Sequence, residues 1–312
     1  MSLAVGVDIG GTKVAAGLVG EDGAVLDYVR RETPVDVEAI SVLVAELATD
    51  IQARANVEGL PVGVGAAGLI DLDGVVRYAP NLAWRDYPFR TRLTELLGGP
   101  VVVENDASAA AWGEYRAGAG TAARTTLVML TLGTGVGGGL VVGDSLVRGA
   151  NGMGAEFGHI VVNEGGPPCQ CGNRGDLEAL ASGSALGRMA REALEAGEVP
   201  PGSPLREGPP TGKAVTIAAH DGDKTALRIL ETAGFWLGVG IGSLINALDP
   251  EMVVVGGGAM QAGELILGPA RAAAAARIMG RGHRPVPPVV RARLADQAGL
   301  VGAGLLALER TG

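Results

Sequence analysis

The chain has 312 residues, 52 of them glycine against three Trp, four Tyr and three Phe, is 47% hydrophobic and carries a formal net charge of −9. Its length excludes a small stapled scaffold and suits about two domains, while glycine without a three-residue period excludes collagen and 19% charged residues exclude global disorder. The acidic balance offers no bulk attraction for DNA or RNA, so any phosphate must be held locally.

In chain order, residues 3–26 (LAVGVDIGGTKVAAGLVGEDGAVL) read as strand, glycine-rich turn, strand, tight turn and strand. The same stretch lacks a basic leader and reaches an acid at Asp8, which predicts a cytoplasmic chain with reduced thiols. Helical spacing covers 36–56, Val62–Gly68 is a short apolar strand running into glycine, 101–103 (VVV) is a buried strand, and 107–117 is an Ala-rich helix. At an offset of 123 residues the opening pattern returns over 126–147, matching Gly10 with Gly133, Val19 with Val142 and Gly20 with Gly143. Helices are expected at 184–196 and 224–248, separated by 197–213, whose five prolines and four glycines predict a mobile surface loop. The strand 252–255 runs into Gly256–Gly258 as a second echo of 62–68, and 299–310 is a closing helix.

The uncharged runs 125–143 and 232–248 approach the length of a membrane span. A strand-loop-strand pattern in the first, and small residues at Gly234, Gly238 and Gly242 in the second, predict buried elements and no membrane partner. Alternating strands and helices with an internal repeat indicate an α/β protein of two similar halves, with a ligand in the cleft between them.

At Asp8-Ile9-Gly10-Gly11-Thr12-Lys13 a strand ends in a carboxylate and turns through two glycines to a hydroxyl and an ammonium. Glycine lets backbone N–H groups approach phosphate oxygens, Thr12 and Lys13 can donate to them, and Asp8 can hold a hydrated Mg²⁺. An ordinary hairpin turn is the rival reading. Lys13 favours the phosphate site, since 22 of the 25 basic residues are Arg. No P-loop or Rossmann fingerprint occurs, because GTGVGG at 133–138 leads into a strand-like run. Gly133, Thr134 and Gly135 form the second copy of the turn, without acid or base, so the pair suggests one triphosphate clamped from two sides. Gly257 and Gly258 would make room for adenine and ribose.

The strand at 101–103 ends in Glu104-Asn105-Asp106. Asp106 is either a helix N-cap or a general base facing a substrate hydroxyl. Glu156, His159 and Glu178 bracket Cys169 and Cys171, and Glu156 and His159 share a face if their segment is helical. His159 followed by Cys-x-Cys resembles a small zinc knuckle needing a fourth ligand, for which Asp176 is placed. Two free thiols in a loop are the alternative.

Together DIGGTK (8–13), ENDASAAAWGEY (104–115), LGTGVGGG (132–139), GAEFGHI (154–160), CQCGNRGDLEALAS (169–182) and VVVGGG (253–258) resemble the ROK sugar kinases, most of all the ATP-dependent bacterial glucokinases. The resemblance spans residues 5 to 302. It implies a two-domain actin/hexokinase/Hsp70-like (duplicated ribonuclease H-like) fold: a small domain over 1–117 joined by a C-terminal helix at about 297–312, and a larger one over 118–296. It also implies Asp106 as catalytic base, sugar contacts from Gly68, Asn81, Asn105, Asp106, Glu156, His159 and Glu178, an ATP site at the glycine turns, and a homodimer or homotetramer. The expected activity is transfer of the γ-phosphate of MgATP to the 6-hydroxyl of glucose. Kinases of fructose, N-acetylglucosamine or N-acetylmannosamine share these motifs, and polyphosphate is an open alternative donor. The family's sugar-responsive repressors carry a DNA-binding region ahead of the first turn; here the turn starts at residue 8 and the net charge is acidic, so a repressor is not expected. An actin-like ATPase would not account for the ENDA, GAEFGH and CxCG motifs. The family pattern at 169–176 is CxCGxxGC, and Asp176 here replaces its third cysteine; a carboxylate is a harder ligand, so weakened zinc binding by His159, Cys169, Cys171 and Asp176 is expected.

Overall fold

A computed structural model of the chain describes residues 2–79 and 84–311. It divides into two compact units, one comprising Met1–Leu127, Gly139–Ala155 and Arg293–Gly312, the other Val128–Gly138 and Glu156–Ala292.

The first unit opens with β1 (Leu3–Ile9), β2 (Lys13–Gly20) and β3 (Val25–Glu32), an antiparallel meander. Helix α1 (Val37–Ala55) follows, its N-terminal amides capped by Asp36 and its end marked by Asn56 in the left-handed region at φ 55°. Strands β4 (Val62–Ala66) and β8 (Val101–Asn105) then add in parallel, giving the order β3-β2-β1-β4-β8. Between them lie a small antiparallel sheet of β5 (Leu69–Ile70), β6 (Val76–Ala79) and β7 (Trp84–Tyr87), and α2 (Phe89–Leu97). Neither the small sheet nor α2 is legible in the sequence. Its Trp84 and Phe89 rings, with centroids 4.7 Å apart, close one end of the core.

Helix α3 (Asp106–Ala117) follows β8, and α9 (Ala298–Thr311) returns from the chain's end to lie on β1, β4 and α3. That approach depends on missing side chains: a Cβ at Gly63 would fall on the Ala303 carbonyl, and one at Gly302 on the Ala109 carbonyl. Several glycines that look anomalous in the composition thus let two backbones touch.

The second sheet has the order β11-β10-β9-β12-β13. Its strands β9 (Thr126–Leu132) and β10 (Val136–Val142) lie at the 123-residue offset from β1 and β2, while β11 (Ser145–Leu146) is a shortened counterpart of β3. β12 (Met252–Gly256) occupies the place of β4, and β13 (Val289–Arg291) pairs with it in parallel as β8 does with β4. The repeat read from the glycine turns is therefore a repeat of sheet topology.

The helices of the second unit are α4 (Leu177–Ala181), α5 (Gly183–Glu195), α6 (Gly212–His220), α7 (Lys224–Leu248) and α8 (Glu264–Ala275). Among the described residues α7 is the one helix long and apolar enough to cross a membrane, but 61% of its most apolar window is buried. It packs on α8, where a Cβ at Gly238 would meet the Ala270 carbonyl. The segment 197–213 differs from the expected mobile loop: Val199 and Leu205 are buried, a 3-10 turn spans Pro204–Arg206, and Thr211 caps α6 at Gly212. Two apolar anchors outweigh five prolines in deciding how the loop lies.

Candidate active site

In the first unit, Asp8 near the end of β1 is in register with Gly65 of β4, and Gly65 with Glu104 of β8. Gly65 lies beside two carboxyl-bearing residues: a Cβ there would stand at ordinary contact distance, 3.7 Å from Asp8 Oδ1 and 3.5 Å from Asp106 Cα. Asp8 is half-buried, and burial together with the negative charge of Asp106 pushes its carboxyl up to about 7, against the opposing pull of Arg30. Arg30 in turn donates from Nη2 to Asp296 Oδ2 at 2.9 Å. Arg30 and Asp296 escape the sequence reading because 266 residues separate them, and an arginine in a run of charge reads as a solvated strand end.

Asp106 is the first residue of α3. The N-cap is Asn105, whose Oδ1 accepts from Ser108 N at 2.9 Å, which removes the capping alternative for Asp106. The Asp106 carboxyl is raised by burial, partly opposed by the Ala107 N–H that Oδ1 accepts at 2.9 Å. A raised carboxyl is a stronger base once ionised. Asn105 also donates from Nδ2 to the Gly68 carbonyl at 3.1 Å, which ties the residue before Asp106 to Gly68. Gly68 has φ 124°, and a Cβ there would lie 2.6 Å from the Tyr78 carbonyl oxygen. Asn81 lies outside the described residues.

The turn at Gly10, Gly11 and Thr12 is a tight hairpin between β1 and β2: Gly10 N–H donates to the Lys13 carbonyl at 2.9 Å, and Thr33 Oγ1 donates to the Gly10 carbonyl at 2.7 Å. The turn has the backbone of a hairpin, as the rival reading has it. Lys13 and Gly11 are exposed, with open space where a Gly11 side chain would be.

In the second unit, the turn Gly133-Thr134-Gly135 joins β9 to β10, with Thr134 exposed. Gly257, at φ 89°, approaches the end of β9 so closely that a Cβ would lie 2.5 Å from the Leu132 carbonyl oxygen. Gly258 borders open space. Glu156 precedes a 3-10 turn at Phe157–His159, in which His159 N–H donates to the Glu156 carbonyl at 3.1 Å. Three-residue spacing places both residues on one side of such a turn. A Cβ at Gly158 would fall on the Val136 carbonyl, so this segment lies directly on the start of β10.

One ligand atom from each of His159, Cys169, Cys171 and Asp176 can be chosen so that all lie within 4.8 Å of one another. Asp176 is fully buried and serves two purposes: Oδ1 accepts from Ala179 N at 2.9 Å and caps α4, while Oδ2 lies 3.1 Å from His159 Nδ1 and 3.2 Å from Cys171 Sγ. Burial works against its charge, but hydrogen bonds from Cys169, the Ala179 amide, His159 and Cys171 together hold its carboxyl below the usual range. Burial, then the Asp176 carboxylate, push the Cys169 thiol up. One nitrogen, two sulfurs and one oxygen converging from four side chains are a donor set that fits tetrahedral zinc.

The ROK family model matches residues 4–310. A glucokinase of Streptomyces coelicolor is 42% identical, over 99% of this chain and 98% of that protein. An N-acetylmannosamine kinase of Escherichia coli O157:H7 is 34% identical, over 80% and 81%. The crystal structure of a ROK family glucokinase from Streptomyces griseus, in complex with glucose and AMPPNP, superimposes with a TM-score of 0.89 at 42% identity, covering all of both chains. The five-stranded sheet is duplicated, the family match runs from residue 4 to 310, and the chain accordingly belongs to the ROK family, as one of its sugar kinases.

Proposed function

We propose that this chain transfers the γ-phosphoryl group of ATP to the 6-hydroxyl of glucose, with Asp106 as general base. The observation that carries the reading is Asp106 itself: a carboxylate made more basic by burial, at the head of α3, directly after Asn105, which caps that helix and is hydrogen-bonded to Gly68. Its likeness to a glucokinase with glucose and an ATP analogue bound supports the choice of sugar and donor. Asp106 would accept the hydroxyl proton as the sugar oxygen attacks the phosphorus in line, and Asn105, Glu156, His159 and Glu178 would hold the sugar. Thr12, Lys13, Thr134 and turn amides would offset phosphate charge. Asp8 is the residue that would hold magnesium, whose chemistry when bound is to neutralise phosphate oxygens. His159, Cys169, Cys171 and Asp176 would hold a weakened zinc that orients the imidazole.

A coupled ADP-release assay over glucose, fructose, N-acetylglucosamine and N-acetylmannosamine, with ATP and polyphosphate as donors, tests the reading. Highest kcat/KM for glucose with ATP is expected; a tenfold preference for N-acetylmannosamine would replace it with the second reading, which the 34% identical relative favours. We place the enzyme in the cytoplasm as a homo-oligomer, which light scattering on the purified chain would test.

A further inference from the structure

Glu178 enters the proposed site as a sugar ligand, yet its carboxylate is also tied to the glycine turn assigned to the nucleotide. Its Oε2 accepts a hydrogen bond from Val136 N at 2.9 Å, the first residue of β10 after the turn. The same oxygen occupies the place that a side chain at Gly135 would take. A side chain at position 135 would therefore displace the carboxylate behind it. The other oxygen, Oε1, lies 3.5 Å from Cys169 Sγ.

The turn is held on a second side by the start of the next helix. Gly183 N–H donates to the Gly133 carbonyl at 2.8 Å and Ser184 N–H to the Thr134 carbonyl at 3.3 Å, both from the first two residues of α5. Helix α4 is in turn capped by Asp176 through Ala179 N. A five-residue helix, marginal alone, is thereby fastened at its N-terminus to the Cys/His/Asp cluster and through Glu178 to the turn. The turn itself contains Gly133 and Gly135, residues with the most backbone freedom to lose, so its shape depends on such outside anchors.

We infer that Glu178 is a positioning residue for nucleotide binding: by accepting the Val136 amide it holds the Gly133–Val136 turn in the shape that receives the nucleotide phosphates, independently of its contact with sugar. The inference rests on the reading of this turn as a nucleotide site. It differs from a sugar-ligand role in one consequence, because it makes nucleotide affinity depend on Glu178 when no sugar is present.

The test is the Kd of AMPPNP with Mg²⁺ and without sugar, by calorimetry, for the wild-type chain, Glu178→Ala and Glu178→Gln. Glutamine keeps an oxygen for the Val136 amide and alanine does not. About tenfold weaker binding is expected for Glu178→Ala, the scale of one lost anchoring hydrogen bond, and within about twofold of wild type for Glu178→Gln. Hydrogen exchange at the Val136 amide should accelerate at least tenfold in Glu178→Ala while the β9 amides stay protected, which separates loss of this anchor from general unfolding. Gly135→Ala, which displaces the carboxylate without removing it, should reproduce the loss. Wild-type affinity in Glu178→Ala, or equal weakening by Glu178→Gln, would overturn the inference and leave the nucleotide site standing. Failure of the wild-type chain to bind AMPPNP would overturn the site reading and the inference with it.

Discussion

Oδ2 of Asp176 lies 3.1 Å from Nδ1 of His159, while Oδ1 of the same carboxylate accepts the Ala179 amide at the head of α4. A thiolate has one ligating atom and could not cap the helix while binding metal with equal geometry. The aspartate keeps both interactions and presents a harder donor to the metal. Asp176→Cys should therefore raise zinc affinity at least tenfold, read by competition with a chromophoric chelator, and lower the midpoint of thermal unfolding in the metal-free protein through loss of the cap, about 1 kcal/mol. Wild-type protein purified without chelator should retain zinc; less than about a tenth of an equivalent would remove zinc from the account.

Asp106→Ala should reduce kcat to below a few per cent while glucose and AMPPNP still bind. Activity should fall as the pH drops through the raised carboxyl, so the acidic limb of the kcat/KM profile should lie above the 3.8 of an ordinary aspartate. For stability the sign is opposite. Folding raises the carboxyl's proton affinity, so its favourable contribution is present below the unfolded value and is lost as the pH rises through the folded one. Asp106→Asn should consequently unfold at a higher temperature than wild type at pH 8, with a difference that shrinks as the pH falls towards 3.8. An acidic limb at or below 3.8 would contradict the environment described for this residue.

Glu114 is fully buried and accepts three backbone amides: Ala119 at 2.6 Å, Arg293 at 3.1 Å and Leu294 at 2.6 Å. It fastens the end of α3 to the segment through which the chain re-enters the first unit. Glu114→Ala leaves buried donors unsatisfied and should cost about 3 kcal/mol or more in urea unfolding, with Glu114→Gln costing less because one acceptor oxygen remains. A loss under about 1 kcal/mol for the alanine variant would mean that water replaces the carboxylate.

Gly302→Ala should drive α9 from α3, since the new Cβ would fall on the Ala109 carbonyl; roughly 1–3 kcal/mol of destabilisation is expected. Gly268, inside α8 with nothing within 4 Å of a built Cβ, supplies the contrast. Gly268→Ala should change stability little, because the gain in helix propensity is offset by crowding of the new Cβ against the ring of Pro269 that follows it. Equal effects at the two positions, in thermal melts, would count against the packing described.

By itself the sequence determined the elements whose signals are local. Apolar runs and paired turns set β1, β2, β9 and β10 and their 123-residue offset, and helical spacing set α1 and α7. It also marked Asp8, Asp106, His159 and the cysteines, because chemistry restricts residue type at such positions. The small sheet β5-β6-β7 was invisible, since two- to four-residue strands are stabilised by pairing and by the Trp84 and Phe89 core and carry little pattern of their own. Tertiary structure alone decided that Asn105 and not Asp106 caps α3, that Arg30 and Asp296 share the electrostatic surroundings of Asp8, and that Glu178 serves the turn before β10. Each depends on where a side-chain oxygen ends in space relative to residues tens or hundreds of positions away. The glycines divide in the same way: their number is read from the composition, but whether one frees a turn, as at Gly257, or admits a neighbouring carbonyl, as at Gly302, is settled by the atom that stands where its side chain would be.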